Sequence, residues 1–345
     1  MPAEEIATLA KRLAMDTIPY DYISTLLACT LVPLKKKDNG IRPVGVGECL
    51  RRIIGKTTTG LLKKDIIHAV GTCAGLESGI EAAIHAVRKS FEEDNSECLL
   101  LVDADNAFNK LNRKFSLENI KRLCPPMYTY LHNSYNTPAM LYLDNGDHTL
   151  SQEGVTQGDN AGMAMCALST RPLKQALSNQ TAKDEMKQVW YEDDSSAVGS
   201  LAAVKKWWEY LQASGPDFGY CPKPAKTILL IKDSSQMQAA QKIFKGDGIK
   251  ITDQAERLLG SVIGTESFRE QYIKNKVESW VKDLQSFSKY AQDDLQAAYS
   301  AITKVLSSRW THFQRTVPDA SELFEPLENA IRDQLIDSCS CRTRS

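Results

Sequence analysis

The sequence predicts an α+β body with a helical bundle appended at its C-terminal end. Short apolar runs of strand character alternate with helix-period segments over the first three-quarters of the 345 residues. One run, Cys98–Val102, is apolar throughout, as expected of a buried central strand. From Phe268 onward the pattern is helical, broken near Asp293 and at Pro318.

Taken in order, Glu4–Ala14 and Tyr20–Cys29 read as helices. Leu31–Leu34 and Ile41–Val46 flank Asn39-Gly40, and Asn-Gly between two such runs marks a β-hairpin. A helix is expected from Glu48 to about Val70 and another from Leu76 to Phe91. After the strand at Cys98 come helices near Leu117–Leu123 and Pro126–Tyr135. Ala139–Leu143 and Thr149–Ser151 flank Asn145-Gly146, a second hairpin signal. Asp159–Leu177 is helical and rich in small residues suited to close packing. Gln188–Tyr191 and Ser195–Val198 flank an acidic turn, and a helix over Leu201–Ala213 stops at Ser214-Gly215-Pro216. Thr227–Ile231 and Arg257–Ile263 are each expected to form a strand.

Composition excludes several classes. With 42% hydrophobic residues the chain supports a core and is not wholly disordered. Its longest uncharged apolar stretch, Tyr22–Leu34, is too short to span a membrane and contains Pro33. Nine cysteines without a C-x-x-C pair offer neither a zinc finger nor a disulfide framework. A reduced, intracellular protein is expected, cytoplasmic or nuclear. The formal charge is only −1, but Leu34–Lys64 holds nine bases and two acids. Such a segment is either a solvated basic face or a surface for phosphates.

Two acidic features carry the chemistry. Asp103 follows the Cys98–Val102 strand, where a buried scaffold delivers a carboxylate to a sheet edge. Glu192-Asp193-Asp194 concentrates three acids in a tight turn. Read singly, each is also an ordinary acidic turn. Two carboxylates about 4 Å apart repel by roughly 4 kcal/mol at an effective dielectric near 20, and a divalent cation relieves this. Oxygen-only ligands suit Mg²⁺ or Mn²⁺. If the two strands are sheet neighbours, Asp103 converges with Asp193 and Asp194 in an arrangement suited to two metals. A third segment, Ser151–Asn160, is a glycine-containing turn opening a helix. It is either a capped helix start or a site where backbone N–H groups approach a nucleotide. Gly55-Lys56-Thr57 is not a P-loop, since the glycine required five residues earlier is Leu50, which also breaks a dinucleotide fingerprint at Gly45-Val46-Gly47. No Ser/His/Asp nucleophile order stands out.

Together these segments resemble the ordered motifs of reverse transcriptases. Leu101-Val-Asp103-Ala-Asp-Asn-Ala-Phe108-Asn109 resembles the first catalytic motif, Gln157-Gly158-Asp159 the second, and Tyr191-Glu-Asp193-Asp194 the Y-x-D-D box. Gly215–Tyr220 with Lys226-Thr227 resembles the next motif, Leu258-Leu259-Gly260 the short strand that grips the primer, and Lys36–Val44 the fingers hairpin. Asp103 is 54 residues from Gln157 and 90 from Asp193, and Asp193 is 33 from Lys226. The match covers about residues 31–264, and its flavour is similar to the eukaryotic non-LTR (LINE-like) retrotransposon type.

This resemblance implies a right-hand polymerase with fingers at 1–100, a palm at 101–265 including a fingers-side insertion near 111–151, and a helical thumb at 266–345. It implies an RNA-directed DNA polymerase with RNA template, DNA primer and dNTP as partners, no membrane, and room for further domains of a longer element protein. Asp103, Asp193, Asp194 and the Ala104 carbonyl would hold two Mg²⁺ ions, with Mn²⁺ an alternative. Phe108 would gate against a ribose 2′-hydroxyl. Arg42, assisted by Lys37, would clamp the triphosphate. Gln157, Gly158 and Tyr191 would line the substrate pocket, and Lys226 would protonate pyrophosphate. The basic segment would face the template. Seven bases against four acids over Gln271–Arg315 are compatible with a thumb gripping a duplex, while Trp280 and Trp310 read as core. Glu192 inside the box and Asn160 after Q-G-D depart from the family pattern. A catalytically impaired nucleic-acid-binding relative, or an RNA polymerase of the same palm fold, are the alternatives.

Overall fold

The computed structural model describes residues 3–35, 40–71, 78–291 and 293–336. The described strands are β1 (Cys29–Lys35), β2 (Ile41–Gly47), β3 (Cys98–Val102), β4 (Ala139–Tyr142), β5 (His148–Ser151), β6 (Lys187–Tyr191), β7 (Asp194–Gly199), β8 (Ile228–Ile231), β9 (Lys250–Thr252), β10 (Ala255–Leu258) and β11 (Ser261–Gly264). They form a four-stranded sheet in the order β2-β1-β4-β5, a five-stranded sheet β6-β7-β3-β8-β9 and the hairpin β10-β11. With the helices, this is the expected α+β architecture.

Strand β3 lies at the centre of the five-stranded sheet, antiparallel to both β7 and β8. Its unbroken apolarity follows from helices on both faces. Cys98, Leu100 and Val102 pack with Trp207, Trp208 and Leu211 of the helix Leu201–Ser214. Leu99 points the other way, among Ile84, Val87 and Phe91 of the helix Gly79–Glu92. That helix is thereby drawn onto the sheet.

A second core joins the N-terminal helices to the middle of the chain. Leu13, Ile23 and Ile54 pack with Leu117, Met127, Leu131, Met165 and Leu168. The helix Gly162–Gln180 serves both cores, because its Leu173 and Leu177 lie in the sheet core. At the C-terminal end, the helix Glu266–Tyr290 buries Ile273, Val277, Trp280 and Leu284, one stripe at helical spacing. Trp280 stacks at 6.3 Å on Phe324 and, as expected, is core, with Trp310 packed against the same cluster.

Several boundaries differ from the sequence reading. The helix expected over Tyr20–Cys29 ends at Leu27; Ala28 is extended, and Cys29 pairs with Gly47 and Leu141 in the sheet. The helix expected from Glu48 to Val70 is two, Cys49–Leu61 and Lys63–Val70, broken at Leu62 (φ −92°, ψ 12°). The helix expected over Leu76–Phe91 is described over Gly79–Glu92, and Leu76 and Glu77 lie outside the described residues. The helix expected from Asp159 begins at Gly162. Arg257–Ile263 is not one strand: Leu259 (φ 48°) and Gly260 (φ 85°) turn the chain between β10 and β11. The short β9 and the helix Met237–Ile243 had no counterpart in the sequence reading. The β1–β2 ladder is present, while the turn at 36–39 lies outside the described residues. No helix among the described residues is long and apolar enough to cross a membrane.

Candidate active site

The sheet register brings the acidic motifs together. Val102 of β3 pairs with Ser195 of β7, so Asp103 and Asp194 leave adjacent strands at the same sheet edge. Strands β6 and β7 meet in a two-residue hairpin, Tyr191 pairing with Asp194 around Glu192 and Asp193. Glu192 takes φ 51°, at a hairpin position that favours glycine. Holding a bulky residue there costs on the order of 1–3 kcal/mol.

Buried Tyr220 holds this turn. Its hydroxyl donates to the Asp193 carbonyl at 2.9 Å and accepts from the Ser195 hydroxyl at 2.9 Å. The ring sits edge-on to Trp190 at 5.1 Å. Gly219, at φ 77°, brings it in; a Cβ there would lie 2.3 Å from the Lys110 carbonyl oxygen. On the β3 side, the Lys223 N–H donates to the Asp103 carbonyl and the Asp105 N–H to the Cys221 carbonyl. Neither bond uses the carbonyl of buried Ala104 between them. Lys226 Nζ is 3.8 Å from the Asp103 carboxylate, and both side chains are substantially exposed. Asp105 turns away to Lys110 (2.6 Å) and Lys223 (3.5 Å), and the Lys110 hydrogen bond holds its carboxyl below the usual range.

The electrostatics show how the carboxylates strain against one another. Burial, then Asp193, Asp103 and Glu192, push the Asp194 carboxyl up to about 7. This residue keeps part of its surface in water, so solvent screens some of that repulsion. Burial also raises Asp193, with Asp103 adding to it, while its own backbone hydrogen bond and Arg42 act in the opposite direction. Glu192 is raised by burial too. Among the described residues, no three or more His, Cys, Asp or Glu side chains are grouped closely enough to hold a metal ion as they stand.

Beside the carboxylates lies a cleft of about 370 Å³, lined by Arg42, Val44, Phe108, Gln157, Gly158, Glu192 and Asp193 among others. The wall at 154–158 is laced in from both sides. The Gly45 N–H of β2 donates to the Gln157 carbonyl at 2.8 Å, and the Val155 N–H to the Phe108 carbonyl at 2.6 Å. Gly158 (φ 107°) admits the Gly45 carbonyl, which a Cβ would approach to 2.7 Å. The buried Gln157 Oε1 has no hydrogen-bond partner among the described residues.

Of the residues singled out by sequence, Arg42, Phe108, Gln157, Gly158 and Asp193 share this cleft. Asp103 and Asp194 stand on the neighbouring strands, with Lys226 beside Asp103. Ala104 is buried, and half-buried Tyr191 closes β6 without lining the cleft. Lys37 lies outside the described residues. Arg51 corrects the reading of the basic segment as surface: it is buried, and Nη2 bonds Asp159 at 2.5 Å. Its position three and seven residues before Ile54 and Thr58, on the buried face of one helix, was the available signal. The clasping role of Tyr220 had no such signal.

The fold is similar to solved telomerase structures. Telomerase from Candida albicans in complex with a TWJ fragment of telomeric RNA matches at 10% identity and TM-score 0.53, covering 98% of this chain and 66% of that one. Apo telomerase from Candida tropicalis matches at 10% identity and TM-score 0.52, covering 99% and 71%. The same enzyme truncated from its C-terminal domain matches at 10% and 0.51, covering 74% and 58%. This chain thus spans 58% and 66% of the length of two of these proteins. No family model and no curated protein matches the chain. At this identity the likeness is one of fold alone: the chain shares the fold of these telomerase structures.

Proposed function

We propose that the chain is an RNA-directed DNA polymerase that extends a DNA primer on an RNA template with dNTPs. The carrying observation is the placement of Asp103 and Asp194 on adjacent strands at one sheet edge, with Asp193 on the wall of a cleft shared with Arg42, Phe108 and Gln157. In this reading 1–100 act as fingers, 101–265 as palm and 266–345 as thumb. The motif flavour favours an element of the non-LTR type.

The donor chemistry suits a divalent cation, since every side-chain donor is a carboxylate oxygen and positive charge relieves their repulsion, but the side chains must draw closer than they stand to ligate one. Asp103, Asp193, Asp194 and the Ala104 carbonyl would hold two Mg²⁺ ions, or Mn²⁺. When bound, these would activate the attacking hydroxyl and stabilise the leaving oxygen. The protein's own groups position the substrate. Arg42 offers a planar guanidinium to the triphosphate, with Lys37 assisting. Phe108 bears on the sugar and disfavours a 2′-hydroxyl. The unpartnered Gln157 Oε1 accepts from a donor on the bound nucleotide or template. Tyr191 braces the turn, and Lys226 supplies a proton to pyrophosphate.

The test is primer extension on poly(rA)/oligo(dT) with dTTP, in Mg²⁺ and separately in Mn²⁺, with Asp193→Asn as control. Metal-dependent ladders lost in the variant support the reading. Efficient use of rNTPs would instead indicate an RNA polymerase, against which Phe108 argues by lining the cleft. Glu192 favours a second reading, in which the copy binds template and primer but extends poorly. It places an extra carboxylate at positive φ on the cleft wall. Salt-sensitive binding without extension, rescued by Glu192→Ala, would select it.

A further inference from the structure

We propose that Arg51 is a positioning residue for the nucleotide cleft, acting through Asp159 on Gln157 and Gly158; this rests on the polymerase reading above. Arg51 lies outside the cleft, on the helix Cys49–Leu61, and its side chain is 6% exposed. Its guanidinium forks. Nη1 donates to the Leu27 carbonyl at 2.7 Å, and Nη2 to Asp159 Oδ2 at 2.5 Å. The Tyr135 hydroxyl donates to the same Oδ2 at 2.7 Å, while Oδ1 accepts from the Ala161 N–H at 2.9 Å. Asp159 is therefore bonded on both oxygens by groups from three parts of the chain.

The other end of the same segment is gripped in the same way. Arg113 donates to the carbonyls of Ser151 (2.6 Å), Gly154 (2.7 Å) and Glu153 (3.2 Å). The two guanidinium carbons lie 5.7 Å (Arg51) and 5.3 Å (Arg113) from the Tyr135 ring centroid. Between these anchors runs the stretch whose Gln157 and Gly158 form the cleft wall. Only Gly158 separates Asp159 from Gln157, so a shift of Asp159 is passed directly to the wall and to the Gly45–Gln157 hydrogen bond.

A buried ion pair is a weak source of stability, since desolvation offsets most of its attraction. Apolar side chains would cement these helices as well. What the pair adds is direction: a rigid planar fork sets where the carboxylate sits relative to the Leu27 carbonyl. A nucleotide-binding wall needs that precision, because a displacement of about 1 Å is enough to cost rate or affinity.

The experiment compares wild type with Arg51→Lys, which keeps the charge but loses the fork, and Tyr135→Phe, which removes only the hydroxyl. In primer extension with dTTP varied, both variants should raise the KM for dTTP, about tenfold for Arg51→Lys, with kcat changed less than about threefold. In the unliganded protein, the Gly45 amide should exchange about tenfold faster, while amides of the helix Glu266–Tyr290 hold their wild-type rates. A loss confined to kcat, or an unchanged Gly45 amide in both folded variants, overturns the proposal. Should the wild type itself not extend primers, the polymerase reading falls, and the exchange measurement alone decides whether Arg51 sets the wall. Should Arg51→Lys not fold, Tyr135→Phe carries both readouts.

Discussion

The Tyr220 hydroxyl meets the Asp193 carbonyl at 2.9 Å, so a side chain from outside the hairpin holds the backbone of the acidic turn. Tyr220→Phe keeps the ring against Trp190 and removes only the clasp. It should cost about 1–2 kcal/mol of stability, measured by urea unfolding. It should lower kcat about tenfold while leaving the dNTP KM near wild type. A variant with wild-type kcat would show that the turn keeps its shape without the clasp.

The raised Asp194 carboxyl sets a pH dependence of folding. It titrates near 7 in the fold against an ordinary value of 3.8. The folded chain therefore binds a proton over that window that the unfolded chain has released. In divalent-free buffer, stability is highest below about pH 4 as far as this group is concerned, and falls as pH rises toward 7. Asp194→Asn should flatten the slope and gain on the order of 1–2 kcal/mol at neutral pH, the full shift being discounted for solvent exposure. Unfolding curves in EDTA across that range test it, and identical slopes for the two proteins would refute it.

Two glycines should respond oppositely to alanine. Gly154 has φ 67°, and a Cβ there would lie 2.3 Å from the Phe108 carbonyl oxygen, a backbone atom that cannot step aside. Gly154→Ala should destabilise by about 2–4 kcal/mol. Gly60 sits in a helix with nothing within 4 Å of its would-be Cβ. Gly60→Ala should stabilise by about 0.5–1 kcal/mol. Thermal melts of both distinguish a crowded glycine from an open one.

The turn between β10 and β11 rests on the C-terminal helices. His312 Nε2 lies 3.2 Å from the Leu259 carbonyl, and Gly260 packs beside the same ring. If that turn grips the primer, His312→Ala should shorten products about threefold under single-encounter conditions, with the dNTP KM unchanged. Product lengths equal to wild type would separate His312 from primer retention.

Much of the fold was legible because short-range chemistry agreed with long-range packing. Cys98–Val102 is apolar on both faces, so it reads as a central strand, and it is one. Asn145-Gly146 predicts a tight turn, and the Leu143 N–H closes it on the Asp147 carbonyl. The sequence could state the condition for convergence of Asp103 with Asp193 and Asp194, that their strands be neighbours, and the β3–β7 ladder meets it. The missed features depend on distant partners. Leu62 and Leu259 carry no local signal for the turns they make, since neither is a residue that turns favour. Arg51 looked like one base in a basic run; its helix face hinted at burial, but its partners, the Leu27 carbonyl and Asp159, 108 residues away, could not be read locally.

The shared helix Gly162–Gln180 has a consequence for synthesis. The chain visits the N-terminal core with residues 13–70, leaves to lay down β3, and returns with 111–168 before the acidic hairpin is made. Emerging from the ribosome, the first helices must therefore wait for almost half the chain before their apolar faces are covered. A cut between residues 71 and 110 would leave one part of that core on each fragment. Neither piece would be a soluble, self-standing unit, and only co-expression of the two would restore it.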